Sequence, residues 1–285
     1  MKSASPLSTH EITVGGVRQV YHVAGQGPVC VAHSGGPGTA WSYLRMPLLE
    51  QHRTMVYLEP VGTGDSGRLE SYDLATYVAF LAAVVDDLDS PRVQLLGHSH
   101  GGFVVQRYAL EYPGRVAGLI LYDTTAVADP GFWESAMAGV TAYGAVDPEI
   151  PSAFERLMAA TDDAAMTAAL RDALPAYFAD FPGRRPEYAD LVTGLRAWLV
   201  PQVPELFDLR DRLGEITAPT VVIAGAHDFI AGPRWAGILH ASIPHAHLVE
   251  LEHSGHFGHI EQPAEFAAAA TSVAPDLDAD VAAGT

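Results

Sequence analysis

The stretch Gln94-Leu95-Leu96-Gly97-His98-Ser99-His100-Gly101-Gly102 decides the fold. Val93 to Leu96 is a short apolar run that reads as a buried strand, and Gly101 to Glu111 carries apolar residues at helical spacing. Ser99 therefore falls on a strand-to-helix turn with glycine two positions to either side, a G-x-S-x-G elbow. A serine held in so sharp a turn projects its hydroxyl clear of the sheet, and side chains larger than hydrogen at Gly97 and Gly101 would collide across it. The helix that follows points its N-terminus at the serine and favours negative charge developing there. The five-residue pattern recurs by chance in many proteins; its setting between strand and helix gives it weight.

Outward from this turn, the grammar is that of an α/β chain. Short runs rich in β-branched residues occur at Ile12 to Val14, Gln19 to Val23, Val29 to Ala32 and Thr54 to Leu58, the first two reading as an opening hairpin. A helix over Asp73 to Leu88, the strand and helix around Ser99, and a strand at Ala117 to Tyr122 then alternate, which predicts a parallel sheet with right-handed crossovers. Between about Ala126 and Leu213 there is no convincing strand. Helical patterns at Ala153 to Ala160, Ala164 to Ala173 and Tyr188 to Leu199 are broken by prolines 130, 148, 151, 175, 182 and 186, as in an inserted helical cap. Sheet grammar resumes with Thr220 to Ala224, a helix near Trp235 to His240, a strand at His247 to Leu251 and a closing helix from Pro263. The expected organisation is a discontinuous core, residues 1–124 and 216–285, with a cap at 125–215. The tail after Pro275 has little to bury and is expected to fray.

Composition narrows the function. At 285 residues and 48% apolar content the chain can bury a sizeable core. Its 34 acidic against 16 basic residues give a formal charge of −18, which repels nucleic acid and anionic membrane surfaces. The single cysteine, Cys30, sits in an apolar run, so no internal disulfide can form and a buried core role is expected. Met1 to His10 lacks the apolar stretch of a secretory signal, and no run is long enough to span a bilayer, so a cytoplasmic location is expected.

Four separated motifs, in order along nearly the whole chain, resemble the α/β-hydrolase family. Besides the elbow, His33-Ser34-Gly35-Gly36-Pro37-Gly38 follows the third strand and is similar to the HGGPG oxyanion loop of the prolyl iminopeptidase branch, with Ser34 where that branch has histidine. The resemblance implies that the backbone N–H groups of Gly36 and His100 hold the oxyanion of a tetrahedral intermediate. A plain glycine turn is the simpler alternative for residues 35 to 38. Glu59 to Ser66 occupies the place of the family's DxRGxGxS loop but has Glu59 and Val61 at the usual acid and arginine positions. It reads as structural, with Gly62 and Gly64 shaping a turn.

A nucleophilic serine needs a base, and the base needs a carboxylate to fix its tautomer. Among 13 histidines, His256 in Glu252-His253-Ser254-Gly255-His256 matches the family's catalytic loop after the last strand. The acid is expected after Val221 to Ala224, where Asp228 stands; Asp123, directly after Leu119 to Tyr122, is the rival. His253 and His259 flank the base, and His98 with His100 and His245 with His247 form H-x-H pairs. These lie on different predicted elements, so neither a metal nor any cofactor is expected.

The reading is a serine hydrolase that cleaves a small-molecule ester or lactone through an acyl-enzyme. Prolyl iminopeptidase-type or other amide hydrolysis is the alternative, weakened because His100 replaces the tryptophan usual in that branch. A ligand receptor on the same fold is the alternative of another class. Trp133, Tyr143, Phe154, Tyr177, Phe178 and Trp198 are cap aromatics of which some line an acyl pocket, whereas Glu134, Asp147, Glu149 and Glu155 read as solvated charge. Monomer and homodimer both fit the sequence.

Overall fold

Ser8–Val14 (β1) and Val17–Gly25 (β2) form an antiparallel hairpin whose two-residue turn, Gly15-Gly16, has positive φ at both positions. That is the turn whose twist suits a tight hairpin, and glycine enters it at no steric cost. The structure is a computed structural model that describes residues 5–273. Val29–His33 (β3), Thr54–Glu59 (β4), Val93–His98 (β5) and Val116–Tyr122 (β6) continue the sheet. Leu74–Asp87 (α1) and His100–Glu111 (α2) make the crossovers. After an insertion come Thr220–Gly225 (β7) and His247–Leu251 (β8). The strand order is β1-β2-β4-β3-β5-β6-β7-β8, parallel from β4 to β8. This is the α/β-hydrolase architecture expected from the sequence.

Because helices cover both faces, the central strands are apolar without alternation, and every residue of β6 is buried. Alternate residues nevertheless serve opposite faces. Leu95, Leu119 and Leu121 pack with Val78, Leu81, Val104 and Val105 of α1 and α2. Leu96, Ile120, Val221 and buried Cys30 pack with Phe266 on the other side. Asp73 caps α1 by accepting from the Thr76 amide at 2.7 Å, so the helix starts where the sequence places it.

The insertion corrects two expectations. Its helices are Pro130–Tyr143 (α3), Glu149–Met158 (α4), Asp163–Ala173 (α5), Phe181–Arg184 (α6) and Ala189–Gly194 (α7). Pro130 begins α3 behind the Asp129 cap instead of breaking a helix, and Pro182 stands second in α6, since the first turn needs no proline N–H. The helix expected over Tyr188 to Leu199 stops at Gly194. The chain turns extended at Leu195, Arg171 holds the Thr193 and Leu195 carbonyls, and Ala197 pairs with Thr39 in an isolated bridge. Pro233–Ser242 (α8), Gly258–Glu261 (α9) and Pro263–Ser272 (α10) complete the fold. The tail expected to fray lies outside the described residues. Among the described residues no helix is long and apolar enough to cross a membrane.

In register, His33 faces Gly97, His98 faces Tyr122, Tyr122 faces Ile223 and Gly225 faces Leu251. The carboxyl ends of five parallel strands thus stop along one edge of the sheet, and the loops that follow them meet there, where such sheets gather their functional groups.

Candidate active site

Ser99 links β5 to α2 with φ 53° and ψ −121°, a left-handed conformation rare for a residue with a side chain. The turn is held by backbone. The Ser99 amide donates to the Tyr122 carbonyl at 3.0 Å, while the Ser99 carbonyl accepts from the Gly102 amide at 2.9 Å and the Thr124 hydroxyl at 2.8 Å. A Cβ on Gly97 would lie 2.5 Å from the Gly101 carbonyl oxygen, and one on Gly101 would lie 2.2 Å from that of His33. The Ser99 side chain does not cap α2, so its hydroxyl is uncommitted and partly exposed.

His256 follows β8 in a loop held from outside. Its amide donates to the Tyr177 carbonyl at 2.7 Å, and the preceding Gly255 amide donates to the Glu261 carboxylate at 2.6 Å. The other Glu261 oxygen accepts from Ala179 at 2.8 Å, so one carboxylate ties this loop to the insertion. His256 Nδ1–H donates to Asp228 Oδ2 at 2.8 Å, and both side chains are buried. Asp228 is aimed by its own turn, accepting from the Ile230 amide at 2.8 Å and the Ala231 amide at 3.2 Å. An acceptor-only carboxylate at Nδ1 leaves a lone pair on Nε2, which is the tautomer a general base needs. No hydrogen bond joins Ser99 Oγ to His256 Nε2, a contact that in general bases commonly tightens only with substrate.

Asp123 has a different role from Asp228. Its φ is 44°, and its Oδ1 accepts from the Gly225 amide at 2.8 Å, bracing the end of β7. Oδ2 is buried without a partner, and burial first, then the nearby Asp228 charge, holds the carboxyl well above the usual carboxylate range. His98, Asp123 and His256 each bring one possible ligand atom to within 4.8 Å of the others. The histidines at the elbow and at the base therefore converge, against the expectation that they stay apart on separate elements. A cation would have to break His98 from its present partners, because its Nδ1 lies 2.6 Å from the Tyr43 hydroxyl and its Nε2 lies 2.9 Å from the His256 carbonyl.

In the Gly35-Gly36 segment, a Cβ on Gly35 would lie 2.9 Å from that of Ser99, which places the loop directly against the nucleophile position. Gly36 has φ 131°, open only to glycine. The Gly35 amide is engaged, donating to the Tyr43 hydroxyl at 2.7 Å. The amides of Gly36 and His100 donate to no described residue and are free for a ligand. The His100 ring packs edge-on against Tyr77, with burial pushing its basicity down to about 3. The loop after β4 is structural: Glu59 accepts from the Asp65 amide and meets His22 at 3.0 Å, while Gly62 and Gly64 both have positive φ. From the insertion, Tyr177 lies 5.6 Å from the His256 ring and contacts Phe154 and Phe229; Trp133 is 54% exposed and lines nothing. Tyr43 and Glu261 carried no signal in the sequence, since an isolated tyrosine and a helix-end glutamate acquire their roles only through the fold.

A family model described as the alpha/beta hydrolase fold matches residues 28–263. The 2-hydroxy-6-oxo-2,4-heptadienoate hydrolase of Pseudomonas putida is 28% identical over 268 residues, covering 88% of this chain and 90% of that protein. The 2-hydroxymuconate semialdehyde hydrolase of a Pseudomonas species is 27% identical over 292 residues, with 96% of each covered. Among solved structures, a hydrolase from Pseudomonas aeruginosa superposes with a TM-score of 0.70 at 25% identity, over 93% of this chain and 97% of that one. An enol-lactonase from Burkholderia xenovorans has a TM-score of 0.70 at 22% identity, over 93% and 99%, a likeness of fold alone.

Proposed function

The chain belongs to the alpha/beta-hydrolase fold family, and within it we propose a serine hydrolase that cleaves a carboxylic ester or lactone, with Ser99 as nucleophile, His256 as base and Asp228 as its orienting acid. The observation that carries this is the strained Ser99 turn standing at the same sheet edge as a 2.8 Å His256–Asp228 bond. Ser99 Oγ attacks the carbonyl carbon as its proton passes to His256 Nε2. The free amide of Gly36, in the loop after β3, and that of His100, at the N-terminus of α2, stabilise the resulting oxyanion. Collapse expels the alkoxide, which takes the proton from His256. A water then attacks the acyl-Ser99 carbonyl, giving up a proton to Nε2, and the second collapse returns that proton to Ser99. Residues 125–215 act as a cap, and Tyr177, Phe154 and Phe229 form an apolar wall beside the base that suits an acyl group.

The names of the two Pseudomonas relatives support a second reading, hydrolysis of a 2-hydroxy-6-oxo-dienoate. The nucleophile is tested first by exposing wild type and Ser99→Ala to a fluorophosphonate and reading intact mass. One adduct on wild type alone is expected; an unlabelled, folded wild type refutes the proposal. Rates on p-nitrophenyl esters, lactones, the heptadienoate and proline p-nitroanilide then separate ester, lactone, carbon–carbon and iminopeptide cleavage.

A further inference from the structure

His98 and His259 are buried, are absent from the steps above, and make hydrogen bonds that determine which ring nitrogen carries the proton. His98 Nε2 lies 2.9 Å from the His256 carbonyl, and His259 Nε2 lies 2.9 Å from the Tyr43 carbonyl. A carbonyl can only accept, so Nε2 is the protonated nitrogen in both rings and each Nδ1 offers a lone pair. Each lone pair meets a tyrosine: the Tyr43 O–H donates to His98 at 2.6 Å, and the Tyr122 O–H donates to His259 at 2.9 Å. The Tyr43 oxygen in turn accepts the Gly35 amide at 2.7 Å. One uninterrupted path therefore runs from the peptide just before Gly36, through Tyr43 and His98, to the backbone of His256. Beside this path, His259 ties the Tyr122 hydroxyl to the Tyr43 carbonyl.

The His98 ring also lies 4.5 Å from the His256 ring, close enough to feel the charge that His256 acquires in turnover. Burial and the neighbouring histidines hold His98 well below the ordinary histidine range, and burial holds His259 at about 4. Both rings stay neutral while His256 protonates, so the path keeps its donors and acceptors throughout the cycle.

We propose that Tyr43 and His98 are positioning residues for acyl transfer: their hydrogen bonds fix the oxyanion loop to the main chain of the general base, so that the two hold one separation as Ser99 changes its bonding. This rests on the serine-hydrolase reading. Enzymes lose rate steeply when donors and base drift from the reacting atoms, and the loss falls on kcat, not on ground-state binding.

The test is Tyr43→Phe, which removes one hydroxyl and keeps the ring, with His98→Gln and His98→Asn beside it. Glutamine can still reach the His256 carbonyl with an N–H, whereas asparagine reaches only toward Tyr43. With folding checked by circular dichroism and melting, Tyr43→Phe is expected to lower kcat and the fluorophosphonate labelling rate by about 10- to 100-fold, with KM changed by less than about threefold. His98→Gln is expected to keep more kcat than His98→Asn. A Tyr43→Phe enzyme with kcat within roughly twofold of wild type but a lowered melting temperature overturns the proposal, since the path would then be packing alone. A wild type that takes no fluorophosphonate fails earlier and refutes the hydrolase reading itself, so the two failures are distinguishable.

Discussion

Replacing Asp228 by asparagine removes one charge and one acceptor from a carboxylate both of whose oxygens are in use. Oδ2 accepts from His256 Nδ1–H at 2.8 Å and from the Ala231 amide at 3.2 Å, and Oδ1 accepts from the Ile230 amide at 2.8 Å. An asparagine NH2 at the Oδ2 position faces two donors. His256 can meet it only by moving its proton to Nε2, which abolishes the lone pair that takes the Ser99 proton. With the amide flipped, the NH2 faces the Ile230 amide, and that half-buried donor loses its acceptor at about 1 kcal/mol. The rate loss expected for the wrong tautomer is roughly 10⁴-fold in kcat/KM. Asp123→Asn replaces a carboxyl whose charged form burial disfavours, and Oδ1 can still accept from Gly225. Its kcat/KM is expected to stay within about threefold of wild type. Because the Asp123 pKa is raised on folding, the stability it contributes is complete below its unfolded pKa and is lost as pH rises toward the folded value. Asp123→Asn should therefore melt no lower than wild type at pH 7.5 and should show a flatter pH dependence above pH 4. Steady-state kinetics on the best p-nitrophenyl ester and calorimetry decide it: an inactive Asp123→Asn beside an active Asp228→Asn would refute the assignment of the acid.

Three further predictions concern stability. His33, His98, His100 and His259 all have folded pKa values depressed by burial, to about 4 for His33 and His259 and about 3 for His100, so their contribution is present above the unfolded value and is lost as pH falls. Set against Asp123 and Glu261, whose carboxyls burial raises, the four rings leave a net uptake of about two protons on unfolding and make stability fall by ~3 kcal/mol per pH unit below ~6.5, so denaturant midpoints should drop sharply between pH 6.5 and 5. A flat midpoint across that range would show that these rings are not buried neutral. Gly101→Ala, whose Cβ would meet the His33 carbonyl oxygen at 2.2 Å, should lower the melting temperature by several degrees or prevent folding. Gly237→Ala in α8, with nothing within 4 Å, should raise stability by roughly 0.5–1 kcal/mol.

What the sequence discloses and what it withholds divide along physical lines. The strands are legible because parallel strands buried on both faces must be continuous apolar runs, as at Val116–Tyr122. The Ser99 elbow is legible because Gly97 answers to a backbone contact within the turn, whereas the His33 carbonyl that requires Gly101 comes from β3 and belongs to the fold. Proline in the insertion misleads because the same missing N–H that breaks a helix interior suits its first turn, and only the fold shows that Pro130 stands there. The choice between Asp123 and Asp228 is of another kind. Both follow neighbouring parallel strands whose ends lie in register, Tyr122 against Ile223, so both emerge at one edge and the sequence leaves them open. Distance from the strand end separates them. Asp123 comes directly off β6, and its carboxyl folds back onto the Gly225 amide. Asp228 stands three residues past β7, in a turn whose amides aim its carboxylate at His256. The same reasoning applies to His98 and His259. Their spacing suggests metal ligands, but the carbonyls facing each Nε2 and the tyrosine hydroxyls at each Nδ1 already engage both nitrogens of each ring.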